Sequence, residues 1–234
     1  MIPIRLAASA PREIPWVTRA LCIALPLIFL LQFADARVGE MLIRVFGFVP
    51  GRLLEPELFG YTRLEALFTL VSSLFLHGGL VHLGGNIIYL WVFGGAVEAQ
   101  VGSGRFVALY VLGGVAGSLV HAAVYPESTI ASIGASGCIA AILGAFLILR
   151  PREPIVTLIP LVISWVLIEV PGIVFLPLWF GLQFLNGWLA LRSAGGTEEI
   201  AGVAWWAHVG GFSLGMLFGS VTRWRSPKRS PAGR

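Results

Sequence analysis

The stretch Ile133-Gly134-Ala135-Ser136-Gly137-Cys138-Ile139-Ala140-Ala141-Ile142-Leu143-Gly144-Ala145-Phe146-Leu147-Ile148-Leu149 sets one hydroxyl, Ser136, between glycines at the head of an otherwise apolar segment. Stopped by Arg150-Pro151-Arg152, it reads as a helix entering a bilayer, with Ser136 near one membrane face and inside the protein. Taken alone, such a serine is ordinary. Small residues let membrane helices approach, and a hydroxyl bonds back to a carbonyl of its own helix. What raises Ser136 above that reading is the short inventory of other polar groups in the chain.

The composition names the solvent. Of 234 residues 57% are hydrophobic and only 12% charged, with a mean hydropathy of +0.86, far too little polar surface to cover a soluble globule. The chain reads as a polytopic membrane protein of all-α class. Cys22 and Cys138 both fall in apolar runs, so no disulfide framework is indicated, and neither has a basic neighbour that favours thiolate. A pI near 9.6 would suit nucleic acid, but the basic residues sit at the ends and in short loops. Anchoring at the lipid surface explains them, and no nucleic-acid partner is expected.

Read in order, residues 1–19 form a tail that the positive-inside rule makes cytoplasmic, with Arg5, Arg12 and Arg19 against Glu13. A first helix, retained because no small-residue cleavage site precedes Asp35, covers about 20–34. Residues 35–80 make an outer loop of mixed charge and apolar clusters, folded at the membrane surface. Helices follow at about 81–99, 106–124 and 133–149. The run 155–191 is interrupted by Pro160, Pro171, Gly172 and Pro177, and could hold one span or two. Parity decides for one: if Ser136 and His208, each in the first turn of its helix, are to meet at one depth, an odd number of crossings must separate them. One crossing is therefore assigned to 172–191, with 155–170 re-entrant or interfacial, and a last helix runs over about 205–222. The expected product is a six-helix membrane domain over 20–222 with a basic tail at 223–234, both termini cytoplasmic. Arg105, Arg150, Arg152, Arg223, Arg225, Lys228, Arg229 and Arg234 then fall inside, and Glu127, Glu198 and Glu199 outside. Arg192 runs against the trend.

Polar groups inside a membrane are costly, so each is a candidate for function. The chain has four histidines, His77, His82, His121 and His208, and a single aspartate, Asp35. An aspartyl protease needs two aspartates sharing a proton, and a zinc protease of the usual type needs His-Glu-x-x-His; neither is present. A serine with a histidine base remains. At about 100° per residue, Gly215 and Gly219 lie within about 20° of the direction of His208 and Gly211 within about 60°. That face has no side chains, and Gly137 and Ala140 give the serine helix a similar one. Two such backbones can approach until imidazole reaches hydroxyl. His82 and Asn86, one turn apart, and the free N–H of Ser136 at a helix start are candidate donors to an oxyanion. His121 is expected to be interfacial. A zinc site from His77 and His82 lacks a third ligand, and no metal or other cofactor is expected.

Together these residues resemble the rhomboid family of intramembrane serine proteases. The likeness rests on His77-x4-His82-x3-Asn86, Gly94-Gly95-Ala-Val-Glu98, Gly102-Ser-Gly104, Gly134-Ala-Ser136-Gly137 and Ala207-His208-x-x-Gly211-x-x-x-Gly215, in order over about 67–220. It implies a six-helix core with a water-accessible cavity, where Ser136 is the nucleophile and His208 the base. Asn86, His82 and Gly134, with the Ser136 amide, would form the oxyanion and substrate-binding side, and Gly137, Gly211 and Gly215 would support packing. No carboxylate would orient the histidine, giving a dyad. The implied substrates are single-span membrane proteins cut where weak helices unwind. Three positions depart from better-known bacterial members. Ala140 stands where many have a tyrosine that supports the histidine ring, Ser73 where some have another histidine, and Phe68-Thr69 where a Trp-Arg pair is frequent. A non-catalytic rhomboid-like protein that binds membrane clients is the main rival, and a small transporter built on broken helices the third reading. Fifteen arginines against one lysine point to a GC-rich genome, so a bacterial inner membrane is the expected location. The oligomeric state is not legible.

Overall fold

The computed structural model describes residues 1–7, 14–160, 164–192 and 203–225. Arg12, Glu13, Glu198, Glu199, Lys228, Arg229 and Arg234, on which part of the charge map rests, lie outside the described residues, as does the side chain of Arg225. The chain is mostly helical. Helix α1 (Trp16–Ala34) starts four residues before position 20, and the reason lies far along the chain. The Glu98 carboxylate accepts from the Val17 N–H at 2.9 Å, the Thr18 N–H at 2.8 Å and the Thr18 hydroxyl at 2.7 Å. It serves as the cap that the local sequence lacks.

The connection that follows α1 is built of α2 (Ala36–Phe46), α3 (Pro50–Leu54) and α4 (Arg63–Ser72). Asp35 caps α2 by accepting from the Arg37 and Val38 N–H groups. Thr62 and Glu65 form a reciprocal capping box at α4, and the hydrogen bonds from Thr62 hold the Glu65 carboxyl below the usual carboxylate range. Arg52 is buried and donates to the Arg44 carbonyl at 2.9 Å, with its guanidinium 4.5 Å from the Tyr61 ring centroid. A cation over an aromatic face ties the connection together, in a chain with Phe68-Thr69 where the resemblance would put Trp-Arg. Phe48 and Ser132 exchange backbone hydrogen bonds of 3.3 and 2.7 Å, fixing the connection to the segment ahead of Ser136.

Helix α5 (Leu80–Tyr89) passes through a π-helical turn at Leu90–Gly94 into α6 (Gly95–Val101). Gly102 then turns the chain with φ 83° into α7 (Ser103–Val124). Helices α8 (Ser136–Leu149), α9 (Gly172–Arg192) and α10 (Trp205–Arg225) complete the bundle. Among the described residues four segments are long and apolar enough to cross a membrane: Trp16–Ala34, Leu80–Val101, Ser103–Val124 and Gly172–Arg192. Helix α8 has only 14 residues, and the glycines, serines and His208 of α10 dilute its apolar content.

The all-α expectation needs one correction, between α8 and α9. Strands β1 (Ile2–Leu6), β2 (Pro154–Pro160) and β3 (Trp165–Pro171) form an antiparallel sheet in that order, so the stretch expected to be partly re-entrant or interfacial carries two paired strands. Ile2 pairs with Leu158, Leu6 with Ile155, and Pro154 with Pro171. The physical reason is local. Pro154-Ile-Val-Thr-Leu-Ile-Pro160 and Trp165-Val-Leu-Ile-Glu-Val-Pro171 are rich in β-branched residues, and their prolines sit at strand ends where no ladder donor is needed.

Helix α8 lies at the centre, every residue from Gly137 to Phe146 buried. Its neighbours approach through missing side chains. A β-carbon on Gly211 would strike the Gly137 carbonyl oxygen, one on Gly215 the Ala141 carbonyl oxygen, and one on Gly144 the Phe212 carbonyl oxygen. Close backbone approach through small residues holds membrane helices together where lipid offers no hydrophobic drive.

Candidate active site

Ser136 is the first residue of α8, partly exposed, and opens into a cavity of about 850 Å³ that His82, Asn86, Gly134, Gly137 and His208 also line. Six of the expected site residues thus line one cavity, while Gly211 and Gly215 are not among its lining and lie against the Gly137 and Ala141 backbone. The chain reaches Ser136 through Gly134, whose φ of 126° strongly favours glycine. Space demands it too, since a β-carbon there would lie 2.6 Å from His82 Nε2 and 3.7 Å from Asn86 Nδ2. The Gly134 N–H donates to the Ser73 carbonyl at 3.0 Å, which pins the turn. His82 Nε2 and the Asn86 amide therefore face the backbone immediately before the serine. Asn86 is buried, and its Nδ2 has no hydrogen-bond partner in the protein. A buried donor left open costs on the order of 1–3 kcal/mol, so the Asn86 amide is able to donate to a group that enters the cavity.

His208 is 8% exposed and sits in the first turn of α10. Ala207, its neighbour, faces both serine-side helices: a β-carbon on Gly117 would lie 2.5 Å, and one on Gly137 3.6 Å, from the Ala207 carbonyl oxygen. The glycine row of α10 thus brings the backbones beside Ser136 and His208 together. His208 Nδ1 is 2.8 Å from the Gln183 side-chain oxygen. Its ring lies 5.9 Å from that of Trp179 at 33°, and 6.1 Å from that of Trp205 at 86°. At Ala140 there is no room for ring support, because it is fully buried and a β-carbon on Gly211 would come within 3.3 Å of its methyl.

Three residues extend or correct the sequence reading. His121 is 3% exposed and lines the same cavity, with its ring 5.5 Å from that of Tyr125. Gln183 and Trp179, both on α9, were not singled out. A signal existed, since Gln183 is a polar side chain in an apolar span and the cost of burying it asks for a partner, but attention to ionisable groups alone passes over it. His77 is buried, its ring 5.3 Å from that of His82. Gln32 holds its backbone, accepting from the His77 N–H at 3.0 Å. Burial, with His82 alongside, pushes the His77 imidazole down to about 4. Among the described residues no three of His, Cys, Asp and Glu converge as a metal site.

A hydroxyl, an imidazole and an open amide donor on one cavity inside an apolar bundle are groups that acyl transfer uses. Comparison with known proteins points the same way. The family model for the rhomboid domain matches residues 64–225. The chain is 30% identical over 176 residues to Rhomboid protein 1, mitochondrial, of Saccharomyces cerevisiae, covering 71% of this chain and 46% of that protein. It is 42% identical over 78 residues to RHOMBOID-like protein 5 of Arabidopsis thaliana, 33% of this chain and 25% of the relative. Rhomboid protease GluP of Bacillus subtilis is 44% identical over 78 residues, 33% and 15% respectively. The matches span less than half the length of each of these relatives. With the domain model covering well over half of the sequence in the region that builds the cavity, the chain belongs to the rhomboid family.

Proposed function

We propose that the protein is an intramembrane serine endopeptidase working through a Ser136–His208 dyad. The observation that supports this best is the shared cavity, where Ser136, His208 and the open amide of Asn86 converge. Ser136 Oγ attacks the substrate carbonyl carbon while His208 takes the hydroxyl proton. The oxygen that gains charge receives hydrogen bonds from the Asn86 amide, His82 and the Ser136 N–H at the start of α8. His208 then gives its proton to the leaving nitrogen as the carbon–nitrogen bond breaks. Water, deprotonated by His208, hydrolyses the acyl-enzyme and restores the serine. Substrates are single-span membrane proteins whose helices unwind near the membrane boundary, since an extended strand must reach a hydroxyl near one face.

The same reading takes α8 and α10 as the fifth and sixth spans beside the four long apolar helices. Both termini are then cytoplasmic, with a tail at 1–19, a membrane domain over 20–222 and a basic tail at 223–234. The pairing of β1 with the β2–β3 hairpin supports that topology, because it brings the amino-terminal residues and the α8–α9 connection to one end of the bundle. The location proposed is a bacterial inner membrane.

The test is cleavage of a single-span substrate in liposomes by the wild type, Ser136→Ala and His208→Ala. Cutting by the wild type that falls at least about 10³-fold in both variants is expected. Equal cutting by all three would overturn the dyad. A folded wild type that cuts nothing across several substrates would put the client-binding rhomboid-like protein in its place.

A further inference from the structure

We propose that Gln183 is the positioning residue of the His208 base, with Trp179 as its ring support, so that a third helix supplies what Ala140 leaves out of α8. This rests on the dyad reading above. A carboxamide oxygen only accepts hydrogen bonds. The 2.8 Å contact from Gln183 Oε1 to His208 Nδ1 therefore requires the proton on Nδ1, and it leaves Nε2 as the lone-pair nitrogen, the form a general base needs. Isolated neutral imidazole favours the opposite tautomer, with the proton on Nε2, so the choice has to be imposed. Both partners are buried, Gln183 at 9% and His208 at 8% exposure, where breaking the pair would strand two polar groups. Trp179 lies against the imidazole and also touches the rings of Tyr89 and Phe212, at 6.2 and 6.1 Å. It bridges α5, α9 and α10 and confines the ring to one plane.

The arrangement follows from how the two central helices pack. The backbone contact of Gly211 with Gly137 closes the space beside Ala140, so no large side chain on α8 fits there and ring support has to come from outside the pair. A neutral amide orients the base without adding charge, unlike the carboxylate of a triad. Because Gln183 sits on α9, the tautomer of His208 is fixed only while α9 is seated against α10.

The experiment uses the full-length protein in liposomes, wild type, Gln183→Leu and Gln183→Glu, with cleavage followed across pH and ¹⁵N resonances of the histidine rings recorded on the same samples. In the wild type His208 is expected to show a protonated Nδ1 and a bare Nε2. In Gln183→Leu, which keeps the volume, the ring reverts toward protonated Nε2 and kcat falls about 10–100-fold with KM little changed. Gln183→Glu keeps the acceptor and adds charge, so it retains cutting while the acid limb of its pH profile moves to higher pH, because the imidazolium is stabilised. A wild-type His208 with a bare Nδ1, or a folded Gln183→Leu with wild-type kcat and pH profile, would overturn the assignment. The ring spectrum needs no catalysis, so a protein that binds clients without cutting them leaves the positioning claim testable while the protease reading fails.

Discussion

Helices α8 and α9 are both apolar and both present a polar side chain to the same cavity, yet they are held in opposite ways. Helix α8 is buried from Gly137 to Phe146 and meets its neighbours backbone to backbone. Helix α9 fully buries only Gly172, Phe175, Leu176, Gln183 and Gly187, with Trp179 and Phe180 half-buried against the core and most of the remaining surface turned outward. In a bilayer an outward apolar face gains nothing by turning inward, so shape fixes α8, while aromatic contacts, the Gln183–His208 hydrogen bond and the Gly172 and Ile173 N–H bonds to the Glu153 and Pro151 carbonyls fix α9. Ser136 is therefore set by parts that cannot move independently, and Gln183 by a part that can.

The largest expected effect lies in the α8–α10 contact. In Gly215→Ala the new methyl would occupy the place of the Ala141 carbonyl oxygen, a backbone atom with nowhere to go. We expect a loss at or beyond the upper end of the ~1–3 kcal/mol usual for overpacking, read by reversible unfolding in lipid–detergent micelles. Adding Ala141→Gly should not rescue it, because the obstruction is main chain. Gly113→Ala is the contrasting case. Its methyl would meet the Ala141 side chain and clear the Ala141 Cα by 3.7 Å, so Ala141→Gly should restore most of the loss in a double-mutant cycle. Equal rescue of both would mean that the helices slide, and the contrast with α9 would lapse.

Acid probes the outer edge of the cavity, where buried polar groups replace backbone contact. His77 has its imidazole pushed down to about 4 from an ordinary 6.5, chiefly by burial. The sign follows from proton counting: between those values the unfolded chain binds a proton that the folded protein refuses, so stability is intact above pH 6.5 and drains as pH falls. At pH 4 the loss from this one group should be on the order of 3 kcal/mol. His77→Asn should flatten that part of the stability-against-pH curve, and an unchanged curve would show that His77 is solvated in the native state.

A smaller effect is expected at Arg52, which gathers the Arg44 carbonyl and the Tyr61 ring. Arg52→Ala should cost about 2 kcal/mol. Hydrogen exchange should rise in α2 to α4 while α8 and α10 stay protected. Arg52→Lys should recover little of it, because a point charge cannot lie flat on Tyr61. Exchange rising equally in α8 would show that the connection and the core open as one unit.

The same division decides what could be read from the sequence. Spans 172–191 and 205–222 nearly coincide with Gly172–Arg192 and Trp205–Arg225, because a proline-glycine step and a change to polar residues mark their ends locally. The glycine row around His208 was legible because helical period alone puts it on one face. The start of α1 was not, since its cap is a carboxylate eighty residues away. The paired strands were hidden because Glu169 is the one charged residue of β3, so the alternation that marks a strand is missing and the run reads as membrane. Gln183 was visible as a letter, but its role depends on α9 packing beside α10, and no local pattern encodes that.

The smallest effect sharpens the contrast most cleanly. Gly181 stands mid-way along α9, and a β-carbon there would meet nothing within 4 Å. Gly181→Ala should therefore leave stability within about 1 kcal/mol of the wild type, on the stabilising side, since alanine is the better helix former. It should leave cleavage by Ser136 unaltered as well, because neither Gln183 nor Trp179 has to shift. The same methyl is added in Gly215→Ala, so chemistry and helix propensity cancel between the two variants, and only the distance to the neighbouring backbone differs. A Gly181→Ala loss as large as that at Gly215 would mean that α9 has a close neighbour in the bilayer, such as a second copy of the chain, and would remove the looseness that makes the Gln183 contact a point of control.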